Sequence, residues 1–141
     1  MRVGVVGSGR GSYLATWCRR LGIEVVAACD RDPSRRTEAA VALPSAAVFE
    51  DWRALRGTGL DAVILANDFD EHAPLAVAFL DRGVHVLSEA AACVEEQQAI
   101  ELLEAERRSA ATYSFAENYV FRPHVQLRDG SCPVPMPNLV R

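Results

Sequence analysis

The sequence predicts an α/β fold: a doubly wound, mostly parallel sheet with helices on both faces. Three observations carry this expectation. Strand-like and helix-like segments alternate along the chain. The clearest strand segment, Asp61-Ala62-Val63-Ile64-Leu65-Ala66, is a continuous apolar run of the kind found in strands covered on both faces. The first apolar run, residues 2–6, leads directly into a glycine-rich turn, Gly7-Ser8-Gly9-Arg10-Gly11-Ser12.

Taken in order, the first strand is followed by a helix from Tyr13 to Leu21, stopped at Gly22. A second strand covers 23–29. Asp32-Pro33-Ser34 then starts a helix running to Val41, with proline where a first helical turn tolerates it. Ala46 to Phe49 makes a short third strand, and Asp51 to Leu55 a brief helix closed by Gly57 and Gly59. The fourth strand is the run at 61–66. Residues 71–82 form an amphipathic helix with Gly83 as its C-terminal stop. Val84 to Leu87 is the fifth strand. Glu95 to Ser109 is a charged helix with its apolar stripe at Ala99, Ile100 and Leu103, and Ala111 to Phe115 is the sixth strand. Glu95-Glu96 at the start and Arg107-Arg108 at the end of that helix suit its macrodipole. Trp17 and Trp52 are expected in packing, and His85 within or at the edge of a strand. The character changes near residue 122. Pro123, Pro133, Pro135 and Pro137 fall within fifteen residues, so 122–141 reads as an irregular tail or linker after a domain at 1–121.

The chain has 141 residues, 50% of them hydrophobic, which suffices for one domain with a proper core. A net charge of −4 with no basic stripe argues against nucleic acid as a partner. No apolar run is long enough to span a membrane. Met1 leads straight into a strand, which predicts no signal peptide and a cytoplasmic protein. Cys18, Cys29, Cys93 and Cys132 form no closely spaced pair and read as reduced thiols rather than metal ligands, so no metal site is expected. Cys93 has no histidine partner placed by the sequence, which leaves a nucleophilic role unsupported.

The turn at 7–12 carries the chemistry. Gly7 permits the tight exit from the strand, and Gly9 lets backbone approach a pyrophosphate; Ser12 takes the third position, where a small residue allows helix and strand to pack closely. The helix that starts near Gly11 presents free N–H groups and a positive dipole end to a phosphate. Asp30 follows the second strand, about twenty residues beyond the turn, where a carboxylate accepts hydrogen bonds from ribose hydroxyls. A glycine turn alone is a weak signal, and a plain βα turn with Asp30 in a loop is the alternative. Strand, turn, helix, second strand and acid in that order favour a dinucleotide site.

Several further segments occur in a telling order: Val6-Gly7-Ser8-Gly9, Ala28-Cys29-Asp30-Arg31-Asp32, Asp61 to Asn67 followed by His72, Gly83-Val84-His85-Val86-Leu87-Ser88-Glu89, and Ala116-Glu117-Asn118-Tyr119. Together, over about residues 2–122, they resemble the nucleotide-binding half of the glucose–fructose oxidoreductase, inositol dehydrogenase and MocA family. The resemblance implies an NAD(P)-dependent oxidoreductase moving a hydride to or from a sugar, polyol or related small metabolite. It implies cofactor contacts at Gly7, Ser8, Gly9, Arg10 and Ser12, ribose contacts at Asp30, and a nicotinamide-side groove at Ala66, Asn67 and His72. Glu89 matches the acid of the family's Glu-Lys-Pro segment, and Asn118 falls beside the active-site cleft.

Two departures bear on function. The Glu-Lys-Pro segment reads Glu89-Ala90-Ala91, and alanine can neither polarise a carbonyl nor move a proton. His72, Glu117 and Tyr119 are the remaining polar candidates for acid/base work, with His72 also suited to a structural role at a helix start. The family's second, substrate-binding domain has no counterpart in this sequence. A non-catalytic nucleotide-binding or sensing module is therefore the second reading, and a Rossmann enzyme with a nucleoside or S-adenosyl ligand the third. Asp30 would repel a 2′-phosphate and favours NAD. Arg31 keeps NADP open, as it could pair with that phosphate or lie on the adenine, whereas Arg35 and Arg36 read as a solvated helix face. An exposed sheet edge or apolar surface would allow a homo-oligomer, which light scattering showing a clean monomer would contradict.

Overall fold

The computed structural model describes residues 1–118. Tyr119, Cys132 and the 122–141 segment lie outside the described residues. The elements alternate throughout: β1 (Arg2–Val6), α1 (Ser8–Arg20), β2 (Glu24–Cys29), α2 (Pro33–Ala42), β3 (Ala47–Phe49), a 3₁₀ turn (Trp52–Gly57), β4 (Ala62–Leu65), α3 (Phe69–Leu80), β5 (His85–Ser88), α4 (Glu96–Arg108) and β6 (Tyr113–Phe115). The six strands form one sheet in the order β3-β2-β1-β4-β5-β6, every neighbouring pair parallel. From β1 the chain winds outward through β2 and β3, then returns to place β4 on the other side of β1. That reversal opens a crevice at the carboxyl ends of β1 and β4, the position at which open α/β sheets bind ligands.

Each face of the sheet has its own core, because successive strand side chains point to opposite faces. Val3 and Val5 of β1 and Ile64 of β4 pack with Ala15 of α1 and Ala39 of α2. Val6, Val63 and Leu65 pack on the other face with Leu75 and Phe79 of α3 and Leu102 and Ala105 of α4. In β2 the alternation is broken by a register shift opposite Val3 and Gly4, so that Val25 and Ala28 join the same face.

Three expectations are corrected. Helix α1 begins at Ser8, five residues before Tyr13. Gly7, at φ +86°, turns the chain at once, and its own side chain can offer no cap. The cap comes from the residue after β2 instead: Asp30 Oδ2 accepts the Ser8 backbone N–H at 2.7 Å. In α4, Ile100 and Leu103 are exposed, and Leu102 and Ala105 are the buried pair. The reason lies in α3. Pro74 has no N–H, which leaves the Asp70 carbonyl without its helical donor. Gln98 Nε2 of α4 fills that gap at 3.0 Å, and Ser109 Oγ donates to the Leu80 carbonyl at 2.6 Å. These two bonds turn the face Gln98-Leu102-Ala105-Ser109 toward α3. Leu103→Ala is accordingly expected to change stability by less than about 0.5 kcal/mol, and Leu102→Ala to cost about 2 kcal/mol in a denaturant titration. Trp17, finally, is exposed, flanked by the Tyr13 ring edge at 6.4 Å and the Arg20 guanidinium at 4.6 Å. Trp52 does pack, against Phe79.

No helix among the described residues is long and apolar enough to cross a membrane. His85 is exposed in β5, where Nδ1 accepts the Thr112 N–H at 3.0 Å.

Candidate functional site

The crevice holds a cavity of about 600 Å³ at the carboxyl ends of the central strands. That is the size range of small-molecule and cofactor sites. Gly7, Gly9, Arg10, Asp30, Arg31, Ala66 and Asn67 all line it, so most of the residues expected at a cofactor meet in one wall.

The glycine turn is built for close approach. A Cβ on Gly7 would run into the Ala66 backbone, whereas one on Gly9 meets only the movable tip of the Arg35 side chain. The helix-packing contact, expected at Ser12, belongs to Gly11: a Cβ there would lie 2.5 Å from Val5 Cγ1 and 3.5 Å from Ala66 Cβ. Ser12 is half-buried on α1 and lies outside the cavity wall.

Asp30 sits at the end of β2 with Oδ2 on the Ser8 N–H and Oδ1 accepting the Asp32 N–H at 3.0 Å. A carboxylate has about four lone-pair sites, so both oxygens keep capacity for hydroxyl donors. Asp32 caps α2 by accepting the Ser34 N–H at 2.8 Å, and bonds from Ser34 hold its carboxyl below the usual range. The arginines behave differently from a solvated face. Arg35 reaches back over Gly9 and lines the cavity. Arg36 donates to the carbonyls of Asp30 and Arg31 at 2.9 and 2.8 Å, clamping the β2–α2 turn.

Three ion pairs join elements far apart in sequence around the crevice. Arg31 Nη2 lies 2.7 Å from Asp68 Oδ2 and 3.1 Å from Glu71 Oε2. Arg10 Nε lies 2.6 Å from Glu89 Oε1 at the end of β5. Asn67 Nδ2 donates to Glu71 Oε2 at 2.9 Å, while its Oδ1 is buried with no donor among the described residues. An orphaned acceptor in a cavity wall is a place for a ligand hydroxyl or amide.

His72 is 1% exposed. Its Nδ1 lies 2.7 Å from the Ala91 carbonyl oxygen and Nε2 3.2 Å from that of Asn67. The ring thus lies between the start of α3 and the loop that carries Ala90, with a backbone carbonyl facing each nitrogen. Glu117 is half-buried just beyond β6, near where the Ala116 N–H donates to the Ser88 carbonyl at 2.8 Å. Asn118 is exposed next to it, and neither it nor Glu89 lines the cavity.

Cys29 is buried beside Asp30, and its thiol donates to the Glu50 carbonyl at 3.3 Å. Burial, then the Asp30 and Asp51 carboxylates, push its pKa up to about 12. An unfolded thiol ionises near 9, so the folded form retains a proton that the unfolded form loses, and stability falls as pH rises from 9 to 12. Cys29 is expected to resist iodoacetamide in the native protein at pH 8 and to react on unfolding, as peptide mass analysis would read.

Arg35, Asp68, Glu71 and Gly11 are the site residues that sequence reasoning did not single out for these roles. The Asn67–Glu71 pair has a helical spacing that could have flagged it; the partners of Arg31 have no local signal.

Comparison with known proteins gives the same picture. The model of the GFO_IDH_MocA oxidoreductase family, NAD-binding Rossmann fold, matches residues 1–117. Inositol 2-dehydrogenase 4 of Saccharopolyspora erythraea is 34% identical over 110 residues, covering 75% of this chain and 32% of that protein. A glycosyl hydrolase family 109 protein of Stenotrophomonas maltophilia is 30% identical over 139 residues, covering 89% of this chain and 31% of that protein. The WlbA dehydrogenase of Bordetella pertussis, solved with NADH and UDP-GlcNAcA, superposes with a TM-score of 0.80 at 25% identity, over 89% of this chain and 39% of that one. The chain spans about a third of the length of the curated relatives it matches. It belongs to the glucose–fructose oxidoreductase, inositol dehydrogenase and MocA family, and residues 1–117 correspond to that family's NAD-binding Rossmann fold.

Proposed function

We propose that this chain is the cofactor-holding part of an NAD-dependent oxidoreductase acting on a sugar, polyol or related small metabolite. The observation that carries the reading is the cavity at the β1–β4 reversal, walled by the Gly7–Gly9 turn with Asp30 bonded beside it. The residues fit a dinucleotide. The glycine turn at the start of α1 would receive the pyrophosphate, with Arg35 above it as a counter-charge. Asp30 accepts from the adenosine ribose, and the unpaired Asn67 Oδ1 accepts from the nicotinamide half. Once bound, NAD supplies a carbon that accepts or donates the hydride.

The chain's own part is positioning and proton transfer. His72 is a positioning residue, since its ring braces the loop at Ala90 and Ala91. With alanine at position 90, Glu117 is the candidate acid or base, standing beyond β6 beside the end of β5. Tyr119 follows it in the sequence as the second candidate. Arg10 holds Glu89 at the nicotinamide end. The names of the relatives, an inositol dehydrogenase and a glycosyl hydrolase, fit sugar-like substrates bound against a shared nucleotide half.

The test is to incubate native chain and Ala90→Lys with NAD and a panel of inositols and nucleotide sugars, and to follow NADH formation. Turnover by the native chain supports a proton-transfer group other than residue 90. Turnover in Ala90→Lys alone ties the chemistry to that position. Failure of the native chain to bind NADH at all contradicts the reading.

A further inference from the structure

Arg31 follows Asp30 at the end of β2, beside the ribose position, where an arginine commonly serves a 2′-phosphate. Its guanidinium does not face that position freely. Nη2 is drawn across the crevice to Asp68 Oδ2 at 2.7 Å and Glu71 Oε2 at 3.1 Å, at the start of α3. Both acids are set for this. Asp68 occupies the N-cap position of α3, yet its carboxylate makes no bond to its own helix. Glu71 Oε2 is oriented by the Asn67 amide, which donates to the same oxygen at 2.9 Å. Behind Arg31, Arg36 donates to the Arg31 carbonyl at 2.8 Å and fixes the backbone from which the side chain departs.

We propose that Asp68 and Glu71 set the coenzyme preference by holding the Arg31 guanidinium on α3. The inference rests on the reading of this cavity as a dinucleotide site. In the native arrangement a 2′-phosphate meets Asp30, Asp68 and Glu71 with the Arg31 guanidinium already paired. Without the two acids, the guanidinium is released one residue from Asp30 and takes the phosphate in a charge-assisted pair. Exposed ion pairs are individually weak, so the arginine is held by two partners and an oriented third group rather than by one strong contact.

The experiment is a fluorescence titration of NADH and NADPH against native chain, Asp68→Asn/Glu71→Gln, Arg31→Gln, and the triple variant. The native chain should prefer NADH. The double variant should tighten NADPH by about tenfold or more, with NADH within about threefold. Arg31→Gln alone should leave NADPH within about twofold, because its charge is already committed, and in the triple variant the gain should vanish. An unchanged NADPH/NADH ratio in the folded double variant overturns the proposal, as does a gain that survives loss of Arg31. So does a large drop in NADPH affinity in Arg31→Gln alone. If the double variant does not fold, Glu71→Gln alone carries the test, with a shift of about threefold expected and no shift contradicting it. Failure of the native chain to bind NADH is read before any substitution and removes the cofactor reading, and this proposal with it.

Discussion

Gly11→Val is expected to lower the melting temperature by on the order of 10–15 °C, equivalent to about 3 kcal/mol. A Cβ at this position already lies 2.5 Å from Val5 Cγ1, and Val5 is fully buried in the middle strand of the sheet. Two more methyl groups cannot be absorbed by a flexible neighbour, because Ala66 closes the other side at 3.5 Å. The helix must move off the sheet, and the turn at Gly7 to Gly9 moves with it. NADH binding should fall together with stability. Ser12→Gly gives the contrast. It places glycine where the family's motif has it, yet should change stability by less than about 1 kcal/mol, since only helix propensity is altered. If Ser12→Gly shifted the melting temperature as much as Gly11→Val, the close contact would have been misassigned.

Asp30→Ala is expected to weaken NADH binding by about 10–100-fold. Hydrogen bonds to a charged group are worth about 1.5–3 kcal/mol, and about 1.4 kcal/mol is tenfold in affinity. The same substitution removes the acceptor of the Ser8 and Asp32 N–H groups, so part of the effect acts through the start of α1. Asp32→Ala separates the two contributions. It removes the α2 cap but no group in the cavity wall, and should lower the melting temperature while leaving NADH affinity within about twofold. Equal losses of affinity in the two variants would mean that Asp30 acts only through the local backbone.

The parts legible in the sequence were those fixed by short-range rules. Asp32-Pro33 marks the start of α2 because an acceptor before a proline at the first helical position is a local device. The strand runs are continuous enough to be read without partners, and the glycine turn followed by Asp30 marks one wall of the cavity. The early start of α1 was hidden because Gly9 and Gly11 are poor helix formers, and only the carboxylate of Asp30 and packing on Val5 hold them helical. The buried face of α4 is not legible in the sequence because Ile100-Leu103 and Leu102-Ala105 are equally plausible stripes by period. Pro74, in a different helix, decides between them by leaving the Asp70 carbonyl for Gln98. Arg31 with Asp68 and Glu71, and Arg10 with Glu89, are pairs set by strand order, which brings the ends of β1, β2, β4 and β5 to one edge. Their charges can be read in the sequence, but their partners cannot.

An NAD site in the β1–β4 crevice has to bind the coenzyme without help from a substrate. Fluorescence titration of NADH and NADPH against the purified native chain tests it most directly. Saturable binding with NADH preferred over NADPH is the predicted result; titration of both coenzymes without saturation would contradict it.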